Sequence, residues 1–305
     1  MDIEQKRLFM KLQILIPQYK ENEKVIGRLL YSISEQESID FNDLDVIIVN
    51  DGSDVLLNEE FLKRYPFSIN YVLNEHKGIS GTRNHALSLA TADYVMFCDA
   101  DDMFVSKVGL ANIFKAIDEG FDVFTSQFYI GTKVNFVPIN NDGTYIHGKV
   151  FRREFLLANE IKFPPVPCHE DNFFSTLAQV ESKKSLHTDD IFYLYAYNNS
   201  SITKSKDFFV ETFGIFLEEK QMLIDELCKR GFENAARITG YTVMYDCYAR
   251  YNDLKHSLQR KVKRYWNTNK DLFLGLTDNE RALIKETMLE KFGKDLEIES
   301  FLSLL

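Results

Sequence analysis

Three stretches of this chain carry side chains that could do chemistry. In "YVMFCDADDMF" an apolar run ends in Asp99, Asp101 and Asp102. Carboxylates so close repel one another. Mg²⁺ or Mn²⁺, which take carboxylate and phosphate oxygens, would offset that repulsion. The Asp99-Ala100-Asp101 D-x-D, on a tight turn, can present two carboxylates to one side. An acidic surface turn capping the next helix explains an isolated D-x-D as well, and Asp102 suits such a supporting role. In "NEHKGISGTRNHAL", Gly78 and Gly81 lead into a helix between Lys77 and Arg83. Glycines let the backbone approach a ligand, and a helix N-terminus favours anions. A plain glycine turn with a solvated arginine fits that segment equally. "CHEDNFF" opens a helix with Glu170 and Asp171. These are either a general base with its neighbour or first-turn acids that complement the helix dipole. His169 and His187 are of ligand or acid/base type, although a lone histidine is more often neither.

The elements around these residues alternate. "LQILI" (12–16), "DVIIVND" (45–51), "INYVLN" (69–74) and "YVMFCD" (94–99) read as strands. Between the first two, Val25, Ile26, Leu29, Leu30 and Ile33 fall at helical spacing. "EEFLKRY" and "TRNHALSLA" supply the next helices. Continuous apolar strands alternating with helices predict an α/β fold, a mainly parallel sheet flanked by helices. Such sheets bind ligands beyond the carboxyl ends of their strands. Those ends carry Pro17 and Tyr19, then Asp51, then Asn74, then Asp99 and Asp101. Residues 121–150 read as strands and turns, 150–161 as a helix and 191–197 as a strand. From Phe208 only helical patterns occur. The expected division is 1–205 for the α/β domain and 206–305 for an all-helical C-terminal extension.

The chain has 305 residues, 45% of them hydrophobic, and a net charge of −10 concentrated in its first two-thirds. That acidity argues against a nucleic-acid partner, whose binding rests on neutralising phosphates. It suits a site that gathers a divalent cation. No apolar run approaches the about 20 residues that span a bilayer, and the N-terminus lacks a leader pattern. Cys98, Cys168, Cys228 and Cys247 are scattered without a C-x-x-C, as in a cytoplasmic protein with free thiols. "KHSLQRKVKRYW" (255–266) is basic and acid-free, with Leu258, Val262, Tyr265 and Trp266 at helical spacing. Such a helix either lies peripherally on the anionic inner face of a membrane or docks on its own domain. The helical tail also suits self-association into a homo-oligomer, or holding a long acceptor.

In order and spacing, "ILIPQYKENEKVIGRLLYSISEQ", "VNDGSD", "NEHKGISGTRNHAL", "ADYVMFCDADD", "CHEDNFF" and "YNNSSIT" resemble the family 2 glycosyltransferases. The resemblance covers residues 11–203 and implies the Rossmann-like GT-A fold. It implies a nucleotide-diphosphate-sugar donor, most often UDP-linked, a Mn²⁺ or Mg²⁺ ion, and inversion by direct displacement. The acceptor would be a hydroxyl of a glycan, lipid-linked or protein acceptor in cell-surface polysaccharide synthesis. By position it places Pro17, Tyr19 and Glu21 beside the nucleoside and Asp51 on the base. Asn74, Lys77, Gly78 and Arg83 would line the nucleotide. Asp99, Ala100 and Asp101 match the D-x-D, with Asp101 the direct metal ligand and Asp99 nearer the ribose. Asp171 matches the general base, with Glu170 and His169 on the acceptor side. Thr82 and His85-Ala86 depart from the family's usual Ala and Gly without removing a charged group. Two rivals are weaker. "GISGTR" is superficially similar to the phosphate loop of sugar nucleotidyltransferases, but that loop follows the first strand and this one the third. A non-catalytic binding module on a degenerate transferase fold has no need of an intact D-x-D and Glu-Asp pair.

Overall fold

The computed structural model describes residues 10–132, 135–139, 144–196, 208–293, 298–303 and 305. The chain divides into two compact units, Met1–Ser201 and Ile202–Leu305.

In the first unit, β1 (Leu12–Gln18), β2 (Leu44–Asp51), β3 (Ser68–Asn74) and β4 (Tyr94–Phe97) lie in the order β3-β2-β1-β4, all parallel. Covered on both faces, β1 and β4 are buried along their whole length, which explains their unbroken apolar runs. The crossovers run through α1 (Glu23–Ser34), α2 (Glu59–Leu62) and α3 (Gly78–Leu89). Asn22 starts α1 by accepting the N–H groups of Lys24 and Val25. The helix buries Ile26, Leu29, Leu30 and Ile33, the stripe its spacing predicts.

The sheet continues as β8-β6-β9-β5 and becomes mixed. These strands are β5 (Met103–Phe104), β6 (Val123–Gly131), β8 (Lys149–Arg152) and β9 (Ser185–Ala196), with β7 (Phe136–Ile139) paired to β6. β8 is antiparallel to both β4 and β6, whereas β9 is parallel to β6. The helix expected over 150–161 is therefore half strand. Val150 and Phe151 are fully buried in β8, and only Arg153–Ala158 is helical (α5). Ladder partners on both sides override the local helical pattern. The helices α4 (Gly109–Glu119) and α6 (Glu170–Glu181) belong to the same unit. The "YNNSSIT" segment, 197–203, lies outside the described residues.

The second unit holds α7 (Phe208–Lys229), α8 (Glu233–Arg250), α9 (His256–Phe273), α10 (Asp278–Phe292) and α11 (Ile298–Leu302). Its core includes Phe213, Leu223, Met244, Tyr245 and Phe273. A side chain at Gly240 would collide with the Phe273 ring, so α8 and α9 meet at a glycine. The apolar residues of the basic segment, Val262, Tyr265 and Trp266, are buried within this unit. Among the described residues no helix is long and apolar enough to cross a membrane.

One carboxylate ties the mixed half of the sheet together. Asp122 accepts from Arg152 Nη2 (2.6 Å) and from the N–H groups of Lys183 (2.9 Å) and Lys184 (3.2 Å). Burial favours the protonated acid, but these donors outweigh it and hold Asp122 below the usual carboxylate range. With its pKa lower in the folded than in the unfolded chain, Asp122 stabilises the fold fully above the unfolded value of about 3.9. That contribution is lost as pH falls through the folded value. Asp122→Ala should cost about 1–2 kcal/mol in urea denaturation at neutral pH. The gap from the parent protein should narrow in acid; a constant gap would count against this linkage.

Candidate active site

The parallel strands deliver their carboxyl ends to one edge, and buried amides shape the loops there. Gln18, at the end of β1, donates to the carbonyl oxygens of Glu21 (2.7 Å) and Val55 (3.0 Å). Asn50, near the end of β2, accepts the Ser53 N–H (2.7 Å) and donates to the Val55 carbonyl (3.2 Å). The Tyr71 hydroxyl joins the two, accepting from Asn50 and donating to Gln18. This network fixes the loop that carries Asp51. The buried Asp51 carboxylate accepts the Lys77 N–H at 2.7 Å and lies 2.8 Å from His76 Nδ1. Gly52 has φ +71°, and a Cβ there would sit 2.6 Å from the His76 nitrogen. Only glycine closes that turn. The Tyr19 ring, 43% exposed, lies 5.0 Å from the His76 ring. Glu21 accepts the Tyr19 N–H (2.5 Å), and burial, with Asp101 and Asp99 nearby, raises its pKa. Pro17 and Ala100 are buried backbone positions, Asn74 and Gly78 are half-buried, and Lys77 is exposed.

The glycines do not precede α3, as the sequence suggested; they sit in its first turn. Gly78 has φ +72°, and Lys77 at the N-cap provides no side-chain cap. Thr82 is fully buried and bonds the Gly78 carbonyl (2.9 Å), a packing role that fits its departure from the usual Ala.

Arg83, one turn further on, is 3% exposed and bridges two distant carboxylates. Nη2 meets Asp99 Oδ1 at 2.6 Å and Nη1 meets Glu170 Oε1 at 2.5 Å. The guanidinium also lies 5.4 Å from the Phe163 ring centre. Burial disfavours its charge, but Asp99, Glu170 and Asp171 more than reverse that, so it stays cationic. Asp99 is held below the usual carboxylate range because Arg83 and His147 overcome its burial. Glu170 is pushed up to about 7 by burial, then Asp171, against the pull of Arg83. His169 adopts the left-handed conformation at φ 68° and starts α6, so Glu170 and Asp171 occupy its first turn. Asp171 is half-buried.

Beneath the D-x-D lies a layer that sequence reasoning missed. Asp102 is fully buried and does not cap a helix. Its oxygens accept the Tyr193 hydroxyl (2.7 Å) and the Ala196 N–H (2.8 Å). The Tyr193 hydroxyl also accepts the Asp99 N–H (3.2 Å), so one β9 side chain grips both ends of the acidic turn. His147, buried, has Nδ1 3.6 Å from Asp102 Oδ2 and stacks on Tyr195. Burial, with Arg83 and Lys149 nearby, pushes its pKa down to about 4, leaving a neutral imidazole at pH 7. Ligand atoms of Asp99, Asp102 and His147 lie within 4.8 Å of one another, a set that could hold a metal ion. Two carboxylates and a neutral imidazole suit a divalent cation. Asp101 stands half-buried beside this set. No sequence signal marks His147 or Tyr193, because each meets the acidic turn from far along the chain; Tyr193 lies 94 residues from the Asp99 N–H that it accepts. His187 pairs with Asp189 (3.2 Å) at an exposed position and takes no part in this cluster.

A mixed α/β sheet with an acidic turn at its carboxyl edge matches known proteins. The sequence profile of Glycosyl transferase family 2 matches residues 13–171. The chain belongs to that family, and it is a glycosyltransferase of GT-A fold. Over 268 residues it is 25% identical to the poly(ribitol-phosphate) beta-N-acetylglucosaminyltransferase TarS of Staphylococcus aureus, covering 77% of this chain and 46% of that protein. Over 100 residues it is 40% identical to a teichoic acid poly(glycerol phosphate) polymerase of Staphylococcus epidermidis, 32% of this chain and 13% of that one. The chain thus spans less than half the length of these relatives. The crystal structure of S. aureus TarS 1–349 in complex with UDP-GlcNAc superposes with a TM-score of 0.60 at 20% identity, covering 90% of this chain and 84% of that one.

Removing Arg83 leaves Asp99 and Glu170 without their shared counter-charge. Arg83→Met should cost about 3–5 kcal/mol, the scale for breaking a buried ion pair by removing one partner. Chemical denaturation measures this directly. Arg83→Lys, which keeps the charge but loses the fork, should recover only part of it.

Proposed function

We propose that this chain transfers a sugar from a UDP-linked donor, with inversion, to a hydroxyl of a cell-surface polymer of teichoic-acid or related polysaccharide type. The observation that carries the reading is the Arg83 bridge. It joins the D-x-D turn to the Glu170-Asp171 pair at the carboxyl edge of the sheet. Family membership supports the reaction class. TarS and the poly(glycerol phosphate) polymerase support the polymer type, and the UDP-GlcNAc complex of TarS supports the donor. On this reading residues 1–205 perform transfer and 206–305 form a separate helical domain.

In this assignment Asp51 accepts hydrogen bonds from the base, with Tyr19, Glu21 and Pro17 flanking the nucleoside. Asn74, Lys77, Gly78 and Arg83 line the nucleotide. The uncapped N–H groups of α3 favour an anion nearby. Asp99 and Ala100 face the ribose side. Asp101 is the direct ligand of a Mn²⁺ or Mg²⁺ ion, with Asp99 beside it. Asp102 and His147 offer donor atoms within 4.8 Å of those of Asp99 and would hold the ion from its side, while Asp101 lies outside that cluster. A bound divalent ion supplies neutralisation of charge on the diphosphate.

The acceptor oxygen attacks the anomeric carbon from the face opposite the diphosphate. The bond from that carbon to the diphosphate oxygen breaks, and its electron pair leaves with the diphosphate. Asp171 takes the proton of the acceptor hydroxyl. Glu170 and His169 stand on the acceptor side. Glu170, bonded to Arg83, holds the start of α6, and so Asp171, against the D-x-D.

Asp171→Asn should lower the transfer rate by 10²–10⁴-fold while UDP-sugar affinity by calorimetry stays unchanged. Near-normal turnover would remove Asp171 from the role of base. Asp101→Ala should abolish the Mn²⁺-dependent part of UDP affinity. Equal affinity with and without Mn²⁺ in the parent protein would sink the metal assignment. A screen that finds neither hydrolysis nor transfer with any common nucleotide sugar would favour a binding module instead.

A further inference from the structure

The basic helix α9 is not used by the site described above, and the structure changes its meaning. Its amphipathic pattern suited an interfacial helix lying on a membrane. Such a helix needs its apolar face free to enter the lipid. Here Val262, Tyr265, Trp266 and Phe273 are at most 8% exposed, and they face the interior of their own unit. No apolar stripe remains for lipid.

What remains outside is charge. Lys255, just before the helix, and Arg260, Lys261, Lys263, Arg264 and Lys270 on it are all exposed. Only Lys261 is neutralised, by Glu218 at 2.9 Å. Among the described residues the other five make no ion pair and no side-chain hydrogen bond. The sole acid of α9 is Asp271, in its last turn. Arg260 and Arg264 are one turn apart, about 6 Å along the axis. Lys263 and Lys270 flank them on the same outer face. The chain as a whole carries a net charge of −10, so this row of free cations runs against its general character. Exposed like charges in a row repel one another, and an anion of regularly spaced charges relieves that repulsion.

We infer that the outer face of α9 binds a phosphodiester polymer of the poly(alditol phosphate) class, the acceptor chain of the reaction. This rests on the transfer reading above for the polymer's role as acceptor. Arginine forks and lysine ammonium groups match phosphate oxygens. A linear chain with one negative charge per repeat can meet successive turns of a helix, so the contacts are electrostatic and independent of the sugar being added. A polymer is favoured over a bilayer because no buried apolar residue of α9 is free to insert into lipid, which leaves a purely electrostatic surface. Binding at α9 would raise the local concentration of acceptor hydroxyls without taking part in bond making.

The test uses the full chain. Fluorescently labelled poly(glycerol phosphate) is titrated by anisotropy at several salt concentrations, and phosphatidylglycerol vesicles are tested separately by flotation. The polymer should bind, with log affinity falling linearly with log salt. A triple variant, Arg260→Gln, Lys263→Gln and Arg264→Gln, alters exposed residues only. It should bind the polymer at least about tenfold more weakly, with a salt slope smaller by about three. Its UDP-sugar hydrolysis without acceptor should match the parent, while KM for the polymer acceptor rises and kcat holds. Equal polymer affinity in variant and parent overturns the inference. So does binding to the vesicles with none to the polymer. A parent protein that binds the polymer through α9 but turns over no nucleotide sugar refutes the transfer reading while supporting the surface.

Discussion

The site depends on the buried guanidinium of Arg83. Arg83 holds Asp99, from the end of β4, and Glu170, from the start of α6, within one guanidinium fork. Each carboxylate alone would be costly to bury charged, and together they would repel. The guanidinium reverses both effects for Asp99 and only partly for Glu170, which burial, with Asp171 beside it, pushes up to about 7. Two acids on one cation are thereby held in different states of proton affinity. The same fork sets how far the acidic turn stands from the first turn of α6. That distance is what a transfer reaction would need held constant.

The acidic turn is held from below as well as from the side. Tyr193 bonds the backbone of Asp99 and the carboxylate of Asp102, and Asp102 in turn holds the end of β9 through Ala196. Asp102 thus fixes the turn in addition to offering an oxygen to the donor-atom cluster. Its proton affinity rises with burial and with Asp99 and Asp101 beside it, so it is set apart from its neighbours in chemistry as well as in place. The consequence is a division of labour within four residues. Asp99 and Asp101 remain half-buried, and Asp102 is fully buried and holds the turn to β9.

The helical unit shows the same separation of faces on a larger scale. The aromatic and aliphatic side of α9 is consumed in packing against its own unit, and the basic side is left to water. A pattern that in isolation fits either a membrane-surface helix or a docked one is here that of a docked helix with a charged outer surface. Packing removes the apolar half of the pattern from any external partner.

Much of this was legible before any coordinates. Strand and helix alternation through β4, the stripe Ile26, Leu29, Leu30 and Ile33, and the convergence of Asp51, Asn74 and Asp99 on one edge are local patterns. Local patterns survive because period and strand ends are properties of the chain itself. The D-x-D, the glycine turn before Arg83 and the Glu170-Asp171 pair were readable for the same reason. The strand β8 was not, because Val150 and Phe151 carry a helical pattern that only their partners in β4 and β6 overrule. His147 and Tyr193 were silent too, since their partners Asp99 and Asp102 lie some forty to ninety residues earlier in the chain. The chain alone determined which residues end the parallel strands and what charges they bring. Tertiary structure alone decided that Arg83 reaches 87 residues along the chain to Glu170 and that Tyr193 lies under Asp99. Long-range pairing depends on how the mixed half of the sheet closes, and no local period encodes that closure.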